Sequence, residues 1–285
     1  TIICLSLILL LQNLNAQKSA LIKANKYYTA LDYSKAIPYY ERVLKKTEGD
    51  IETMIKLAEC YRLTNNVNAA ADMYAKVVNQ PNSAPIYKYY YAQSLMSKGE
   101  HKKAEEYLKQ YQEDSRSKSF IKSINELSKY YKDSSNYSLQ KAKFNTKFSD
   151  FSPYALDDGR VIFISSRPKA RLINYTHGWT GNNFTNIYVT EKNKKGKYKN
   201  PKMFSRKIQS HLNEGSFAFS GDMNTIYFTR NSVYNNKRAL RGNDGKVKLQ
   251  ICQASYYPKK KKYKNVVEFE HNNTTFNYAH PTVSS

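Results

Sequence analysis

Cysteine is scarce in this sequence, and its placement excludes the usual disulfide arrangement of small exported domains. The chain has 3 cysteines among 285 residues. Cys4 lies in an apolar stretch at the beginning, and Cys60 and Cys252 lie in regions of different pattern, one helical and one strand-like. Two cysteines in separate predicted domains do not build a disulfide framework.

A long apolar run is also missing. The stretch from Ile2 to Leu11 has about half of the roughly 20 apolar residues that cross a membrane. A short polar segment ending in the small residue Ala16 follows it, which is typical of a secretory signal peptide and its cleavage site. We predict a signal peptide with a truncated start at residues 1–16, and a mature protein that begins near Gln17 and is exported without a lipid anchor of its own.

The sequence lacks the motifs of common catalytic and metal sites. Its 5 histidines occur singly, with no HExxH motif, no pair at metal-ligand spacing and no GxSxG elbow elsewhere. Asp157, Asp158 and Asp222 are acidic candidates, but aspartates in turns more often accept hydrogen bonds from their own backbone. We therefore expect no enzyme activity, no catalytic residue, no metal site and no cofactor.

Acidic residues are few, and the formal net charge is +23. Eight basic residues and no acidic one lie between Lys192 and Lys207, and Lys259 to Lys262 form a second cluster. Both stretches separate predicted strands. We interpret them as solvated loops that face an acidic surface, such as lipopolysaccharide or an acidic partner.

A 34-residue pattern occurs three times in the first part of the chain. Ala24, Ala58 and Ala92 recur at this interval, and so do Ala36, Ala70 and Ala104. Large residues recur beside them, at Tyr27, Tyr61 and Leu95 and at Tyr40, Tyr74 and Leu108. This period is that of the tetratricopeptide repeat, in which a methyl side chain on each helix lets the paired helices approach closely.

The pattern predicts helices at residues 51–63 and 67–78 in the second repeat. Pro38 is expected early in the second helix of the first repeat, where a backbone amide would have no hydrogen-bond partner within the helix. Residues 120–132 have apolar residues at helical spacing and are predicted to cap the last repeat. We predict repeats at residues 17–50, 51–84 and 85–118, within a helical domain at residues 17–132.

A second and longer repeat follows in residues 133–285. Residues 152–167 align with residues 216–231 at an offset of 64, which matches Asp158 with Asp222 and Ser165 with Thr229. A third copy begins at His280. Several strands per repeat, with an Asp-containing turn between the first two, are typical of a β-propeller blade. The predicted fold class is therefore multidomain all-α plus all-β, a tetratricopeptide-repeat α-solenoid followed by an incomplete WD40-like β-propeller that needs further blades beyond Ser285.

The blade pattern of SP or HP, then S, D, G and a strand ending in a small hydroxyl residue, resembles the WD40-like repeat of TolB-type periplasmic proteins. Together with the helical repeats and the signal peptide, the chain resembles the multidomain OmpA-family proteins of Bacteroidota, which are associated with type IX secretion and gliding. The resemblance implies a periplasmic location at the outer membrane, and partners among outer-membrane or secretion-system proteins. It also implies a link to peptidoglycan through an OmpA-like domain that is not in this sequence.

The expected function is that of a non-enzymatic protein–protein interaction scaffold, with the partner held by the first helices of the repeats. Counting positions 2, 5, 9, 12 and 13 of these helices selects a set of groove residues. They are Asn25, Tyr28, Glu59, Arg62, Tyr89, Gln93 and Met96. A mixture of aromatic, amide and charged groups suits an extended or helical segment of another protein, although a solvated face has the same composition.

Two alternatives remain open at the level of sequence. The first is a propeller-bearing hydrolase whose catalytic domain lies beyond residue 285, and the motifs of that further sequence would distinguish it. The second is a basic nucleic-acid-binding protein, which the export signal makes unexpected and which salt-dependent DNA affinity would reveal. Trp179, the single tryptophan, lies in the run THGWTGNNFTN and is either a recognition residue or part of loop packing.

Overall fold

The computed structural model of the protein describes residues 2–47, 50–111, 114–169, 175–235 and 238–284, with side chains from residue 16 onward. The chain divides into two compact units. The first comprises residues 1–139 and 177–181, and the second comprises residues 140–176 and 182–285. The predicted bounds of domains and repeats remain predictions.

The first unit is a series of packed helices. They are α1 (Ile2–Thr29), α2 (Tyr33–Leu44), α3 (Ile51–Leu63), α4 (Val67–Val78), α5 (Ile86–Ser97), α6 (His101–Lys109), α7 (Ser115–Asn125) and α8 (Leu127–Tyr131). Each helix packs against the next one in the chain. The bounds of α3 and α4 are those predicted from the 34-residue pattern, and the helical part of the predicted fold class is confirmed.

The repeated alanines lie where the helices touch. Exposure is 0% for Ala24, Ala36, Ala58, Ala92 and Ala104 and 1% for Ala70. The larger residues of the pattern fill the space between helix pairs, and Tyr40, Tyr74 and Leu108 are fully buried. Small residues at the closest approach and large residues beside them are what the predicted register requires, because interiors are packed without voids.

α1 runs without a break from Ile2 to Thr29, across the predicted cleavage point before Gln17. Its second half carries Ala24, the alanine that packs against α2 in the first repeat. None of the helices that the structure describes is long and apolar enough to cross a membrane. The signal peptide at residues 1–16 stays a prediction.

Pro38 corrects a detail of the first repeat. α2 begins at Tyr33, so Pro38 is its sixth residue and lies inside the helix. The amide of Ala36 already donates to the carbonyl of Asp32 at 3.1 Å, two positions before the proline. The prediction that the proline occupies the first turn, where its missing amide costs nothing, is therefore wrong, and Pro38 removes one interior hydrogen bond of α2.

The cap at the end of the repeats is shorter than predicted. The continuous helix expected at residues 120–132 is two helices, because α7 ends at Asn125 and α8 begins at Leu127. Phe120, Ile121 and Ile124 of α7 pack against the helical core. Tyr131 in α8 is 63% exposed. The covering function therefore belongs to α7.

The second unit consists of antiparallel strands. They are β1 (Asp150–Ala155), β2 (Val161–Ser165), β3 (Asn186–Thr190), β4 (Lys202–Met203), β5 (Glu214–Phe219), β6 (Thr225–Asn231), β7 (Val233–Tyr234), β8 (Arg238–Ala239), β9 (Leu249–Tyr257) and β10 (Lys262–Glu268). One four-stranded sheet has the order β1-β2-β3-β4 and the other has the order β5-β6-β9-β10, while β7 and β8 form a separate ribbon. All pairs are antiparallel.

Each four-stranded sheet has the strand number of a propeller blade. The described strands form these two blade-like sheets and no closed ring. Apolar residues from both sheets share one core, which includes Ile162, Val189, Ile226 and Phe228. The first predicted basic loop lies between β3 and β5 and contains the short strand β4, and the second lies at the β9–β10 hairpin, where Lys262 begins β10.

The aspartates of the two sheet turns have structural partners. Asp158 accepts a hydrogen bond from the amide of Arg160 at 3.1 Å. Asp222 accepts from the amide of Asn224 at 3.0 Å and from the hydroxyl of Ser220 at 2.6 Å, and these hydrogen bonds lower the pKa of Asp222 to about 2. As expected from sequence, both aspartates bond to the backbone of their own turn.

The 64-residue repeat is visible in the hydrogen bonds that join one sheet to the chain that follows it. The amide of Glu214 donates to the carbonyl of Thr185 at 3.0 Å. The equivalent bond joins the residues 64 positions further along the chain, where the amide of Tyr278 donates to the carbonyl of Leu249 at 2.9 Å. The same connection therefore occurs twice, at the end of each sheet.

Side chains repeat this connection as well. The amide of Thr185 donates to Asn213 Oδ1 at 2.9 Å, and the amide of Leu249 donates to Asn277 Oδ1 at 2.8 Å. The two asparagines are again separated by one full repeat. His280, the first residue of the third copy, lies three residues after Asn277, and its Nδ1 atom is 2.9 Å from Ser216 Oγ.

A buried carboxylate begins the first strand of each sheet. Asp150 and Glu214 are separated by one full repeat, and each lies beside an arginine. Asp150 Oδ1 is 2.8 Å from the Nη2 atom of Arg167, whereas Glu214 Oε1 is 3.8 Å from the Nε atom of Arg230. The amide of Ser210 also donates to Glu214 at 2.7 Å. The two carboxylates occupy equivalent positions with unequal pairing.

The unequal pairing gives the carboxylates opposite pKa shifts. Burial raises the pKa of Asp150, but hydrogen bonds from Ser165 and Arg167 outweigh it, so the pKa lies below its ordinary value. Burial dominates at Glu214 and raises its pKa from 4.5 to about 7 against the hydrogen bonds from Ser210 and the charge of Arg230. Glu214 therefore takes up a proton as the pH falls below neutrality.

The alanine contacts generate a stability prediction. Replacing Ala58 by Phe overpacks a fully buried contact, and we expect the free energy of unfolding to fall by roughly 1–3 kcal/mol or more. Ala84→Phe is the matched control, because Ala84 is exposed, and its effect should stay within about 0.5 kcal/mol. Denaturant unfolding followed by helical circular dichroism measures both. Equal stability of the two variants would contradict the register of the repeats.

The carboxylate pair generates a pH prediction. A carboxyl group with a raised pKa contributes its full stability below about 4.5 and loses it as the pH rises to about 7. Wild type should therefore lose stability relative to Glu214→Gln between pH 4.5 and 7. Denaturant unfolding of both proteins across this range is the measurement. Glu191→Gln is the control, because a hydrogen bond from Lys199 lowers the pKa of Glu191 below 4.5, so its contribution is fully present above this pH and the stability difference should not change across the range. A stability difference that does not change with pH would show that Glu214 does not titrate in this way.

Candidate functional site

The candidate site is the surface formed by α1, α3 and α5, the first helices of the three repeats. Asn25 and Tyr28 lie on α1, Glu59 and Arg62 lie on α3, and the three remaining predicted residues lie on α5. Six of the seven are half-buried. Side chains of neighbouring helices therefore meet there, and they keep part of their surface in solvent.

Tyr28 and Glu59 connect the first repeat to the second. The hydroxyl of Tyr28 donates a hydrogen bond to Glu59 Oε2. Burial raises the pKa of Tyr28, and the hydrogen bond and the negative charge of Glu59 raise it further. The phenol consequently stays neutral and remains a donor to the carboxylate.

Asn25 is bonded on the side that faces the second repeat. Its Oδ1 atom accepts from the hydroxyl of Tyr40 at 2.8 Å and from Lys56 Nζ at 3.2 Å. Lys56 also pairs with Glu52 at 2.7 Å. Asn25 thus satisfies the hydroxyl of the fully buried Tyr40, which is a structural task in addition to the predicted contact with a partner.

Arg62 connects the second repeat to the third. Its guanidinium carbon lies 4.1 Å from the centroid of the Tyr90 ring, which is a cation–π contact. Its Nε atom donates to the hydroxyl of the buried Tyr74 at 3.3 Å. The contacts hold a positive charge over α5, next to the acidic Glu59 of the preceding turn of α3.

Tyr89 is a core residue, which corrects its expected place in an open groove. Its side chain is 1% exposed. Phe120 stacks on it with the ring centroids 5.9 Å apart, and the guanidinium of Arg116 lies 5.0 Å from its ring. The physical reason is that α7 packs over this end of the surface. Gln93, whose Nε2 donates to the Tyr89 hydroxyl at 3.1 Å, and Met96 remain half-buried beside it.

The sequence did not reveal a second feature of this unit, a docked segment at residues 177–181. The indole Nε1 of Trp179 donates to the carbonyl of Leu63 at 2.7 Å. The Trp179 ring meets the Tyr33 ring edge-on, with centroids 5.0 Å apart and an interplanar angle of 86°. Trp179 is therefore part of the packing of the helical unit. Because it lies 116 residues from Leu63 in the chain, no local sequence pattern indicates this contact.

Two glycines fit the segment to the α1–α2 turn. A Cβ atom on Gly178 would lie 1.6 Å from Asp32 Oδ1, so a larger residue would displace that side chain. Gly181 has a φ of +73°, in the left-handed region, and a Cβ atom there would lie 3.0 Å from Ser34 Cβ. The sequence HGWTG places a glycine at both positions.

Tyr33 links the docked segment to the first-helix surface. It packs edge-on against Tyr28, with ring centroids 5.6 Å apart, and it also packs edge-on against Trp179. Burial raises the pKa of Tyr33, the charge of Glu59 adds to this, and the charge of Arg62 opposes it. Tyr33 therefore lies within electrostatic reach of both charged groups of the site.

The two cysteines whose side chains the structure describes are not activated nucleophiles. Cys60 and Cys252 are free and buried, and burial raises the pKa of the Cys60 thiol to about 12 and raises that of Cys252. A thiol with a raised pKa is a poor nucleophile. Among the described residues no group of three or more His, Cys, Asp and Glu side chains could hold a metal ion.

Comparisons with known proteins concern the helical part of the chain. The family described as "Anaphase-promoting complex, cyclosome, subunit 3" matches residues 29–111. The solved structure titled "Crystal structure of MamA protein" is 17% identical, and the match covers 45% of this chain and 98% of that chain with a TM-score of 0.21. No curated protein matches the chain. The family match supports the assignment of tetratricopeptide-like repeats, a generally non-catalytic architecture that suggests protein partners, while the TM-score is too low to carry an argument.

The contact between the first two repeats generates a prediction. Tyr28→Phe removes a hydrogen bond to a carboxylate at a half-buried position, and we expect the free energy of unfolding to fall by about 1 kcal/mol. Tyr131→Phe, at a 63% exposed position in α8, is the matched control and should be neutral. A double-mutant cycle with Glu59→Gln, measured by denaturant unfolding, should show a coupling energy between the two residues. Additive effects in that cycle would refute the bond.

Proposed function

We propose that the protein is a non-enzymatic protein–protein interaction scaffold that holds an extended or helical segment of a partner on the surface of α1, α3 and α5. One observation carries the proposal: a row of half-buried polar and aromatic contacts crosses from repeat to repeat, with Tyr28 bonded to Glu59 and Arg62 stacked on Tyr90. Such residues are pre-oriented by their neighbours and still present surface to a partner. Aromatic residues and arginine are also the side chains that contribute most to protein interfaces.

The binding residues in this proposal are Asn25, Tyr28, Glu59, Arg62, Gln93 and Met96, all half-buried. Tyr89 supports them from the core, through its hydroxyl contact with Gln93. The opposite charges of Glu59 and Arg62, close together on α3, favour a partner segment that carries both a donor and an acceptor. Pairing of that kind gives orientation as well as affinity.

We further propose that the protein works in the periplasm at the inner face of the outer membrane, as an accessory of type IX secretion or gliding machinery. The signal-peptide pattern of residues 1–16 supports the location. The 64-residue blade pattern, next to the helical repeats, supports the resemblance to OmpA-family proteins of Bacteroidota. Connection to the cell envelope would then include peptidoglycan, through a domain that is not in this sequence.

A capture experiment with outer-membrane extract tests the binding surface. The groove variant carries Arg62→Ala, Gln93→Ala and Met96→Ala. Its matched control carries Arg42→Ala on α2, Met73→Ala on α4 and Gln110→Ala directly after α6, which removes the same side-chain types outside the first helices. We expect at least tenfold lower recovery of specific envelope proteins with the groove variant and unchanged recovery with the control. Tyr89 is left intact because it belongs to the core.

Circular dichroism must first show that both variants keep the helical content of wild type. If the folded groove variant then recovers the same envelope proteins in the same amounts as the control, α1, α3 and α5 do not form the binding surface. Failure of wild type to recover any envelope protein from this extract would argue against the proposed location.

A further inference from the structure

We propose that Asp32, Tyr33, Ser34 and Leu63 form a receptor site for a glycine–tryptophan turn, and that the segment at residues 177–181 is the ligand that fills it within the chain. The inference rests on the proposed function and deepens it, because it names one kind of segment that the helical repeats recognise. All of the contacts concerned lie within the first unit.

The site meets the tryptophan with an unused carbonyl group. Leu63 is the last residue of α3, and the last four carbonyls of a helix have no partner within that helix. The indole Nε1 of Trp179 donates to the Leu63 carbonyl at 2.7 Å. Tyr33 supplies the apolar contact, edge-on at 5.0 Å between ring centroids. The site therefore suits a large aromatic side chain with a donor, and the indole of tryptophan, which is a donor only, fits it.

The site meets the backbone of the turn with the beginning of α2. Ser34 is the second residue of that helix, where amides also lack a partner within the helix. The Ser34 amide donates to the carbonyl of Gly178 at 3.3 Å, and its hydroxyl donates to the same oxygen at 2.7 Å. The turn at residues 177–181 thus provides hydrogen-bond partners both for the last carbonyl of α3 and for an amide in the first turn of α2.

The site also selects against side chains before the tryptophan. Asp32 lies where a Cβ atom on Gly178 would be, at 1.6 Å from its Oδ1 atom. Asp32 is held in place by the amide of Lys35, which donates to its carbonyl at 2.9 Å, and by the Lys35 ammonium group at 3.3 Å. Glycine is consequently favoured directly before the tryptophan, because a larger residue would have to displace the Asp32 side chain.

The receptor residues keep their positions through contacts that do not involve the ligand. The Tyr33 ring packs on the Tyr28 ring with centroids 5.6 Å apart. The amide of Asp32 donates to the carbonyl of Tyr27 at 2.9 Å, and the amide of Ala36 donates to the carbonyl of Asp32 at 3.1 Å. A site built by its own helices is pre-organised, so it is expected to bind a separate peptide when the internal ligand is removed.

The experiment uses the full chain with Trp179→Ala, which removes the indole from the site, and a dye-labelled peptide with the sequence YTHGWTGN of residues 175–182. Fluorescence anisotropy should show saturable binding to this variant. Binding to wild type, whose site is filled, should be at least tenfold weaker. A peptide with alanine in place of the first glycine should also bind at least tenfold more weakly than the parent peptide.

Substitutions in the receptor identify the site. Ser34→Ala in the Trp179→Ala chain should weaken peptide binding severalfold, and Ser119→Ala, at an exposed position on α7, should leave it unchanged. The inference is overturned if the folded Trp179→Ala chain fails to bind the peptide at millimolar concentration. It is equally overturned if both peptides bind alike, or if wild type binds as tightly as the variant.

A second measurement covers the case in which Trp179→Ala does not fold. Since Trp179 is the only tryptophan, its emission in wild type reports on the filled site alone. Ser34→Ala should make this emission more accessible to acrylamide quenching, while Ser119→Ala should not, and equal quenching in both would remove the support for the site. The two proposals fail separately. If the peptide does not bind but capture of envelope proteins still depends on the groove residues, only the receptor site is refuted. If the peptide binds but capture does not depend on the groove residues, only the proposed scaffold surface is refuted.

Discussion

Close approach of paired helices at alanine is the constraint on which the first unit depends. Ala58 and Ala92 are fully buried at the same position of successive repeats. A fixed spacing of this kind brings equivalent turns of α1, α3 and α5 side by side. The bond from Tyr28 to Glu59 and the stacking of Arg62 on Tyr90 follow from that register, since each joins one first helix to the next. The candidate surface is therefore a product of the packing and not a separate addition to it.

The second unit depends on a different repeated element, the polar connection at the end of each sheet. Donors and acceptors recur there at the 64-residue interval, as with the Thr185–Glu214 and Leu249–Tyr278 bonds. The carboxylates that begin β1 and β5 share this spacing and differ in the quality of their arginine contacts. At this position of the repeat, Asp150 is an anion paired with arginine, whereas Glu214 is a carboxyl group with a raised pKa. Equivalent position in a repeat does not ensure equivalent electrostatics.

Much of this architecture could be predicted from sequence, because periodic patterns report packing directly. The bounds of α3 and α4 followed from alanine spacing, and the two sheets followed from matching residues such as Asp158 and Asp222. Non-periodic features were not predicted. The break between α7 and α8 and the interior place of Pro38 depend on local geometry that the repeat pattern does not encode. Tyr89 was misplaced because its burial arises from α7, an element outside the repeats, and the site around Tyr33 was missed because its ligand is 144 residues away from Ser34.

The recurrence of hydrogen bonds at the sheet ends has a consequence for how such a chain changes over evolutionary time. In both copies a backbone carbonyl of one sheet, that of Thr185 or Leu249, accepts a hydrogen bond from a backbone amide further along the chain, that of Glu214 or Tyr278. An asparagine directly precedes each of these two donors and bonds to the same strand end. A genetic duplication or deletion of one 64-residue unit would therefore bring together ends that carry the same connecting hydrogen-bond groups. Sheet number becomes a property that recombination between repeats can alter in a single event, with the connecting hydrogen bonds kept at the new junction.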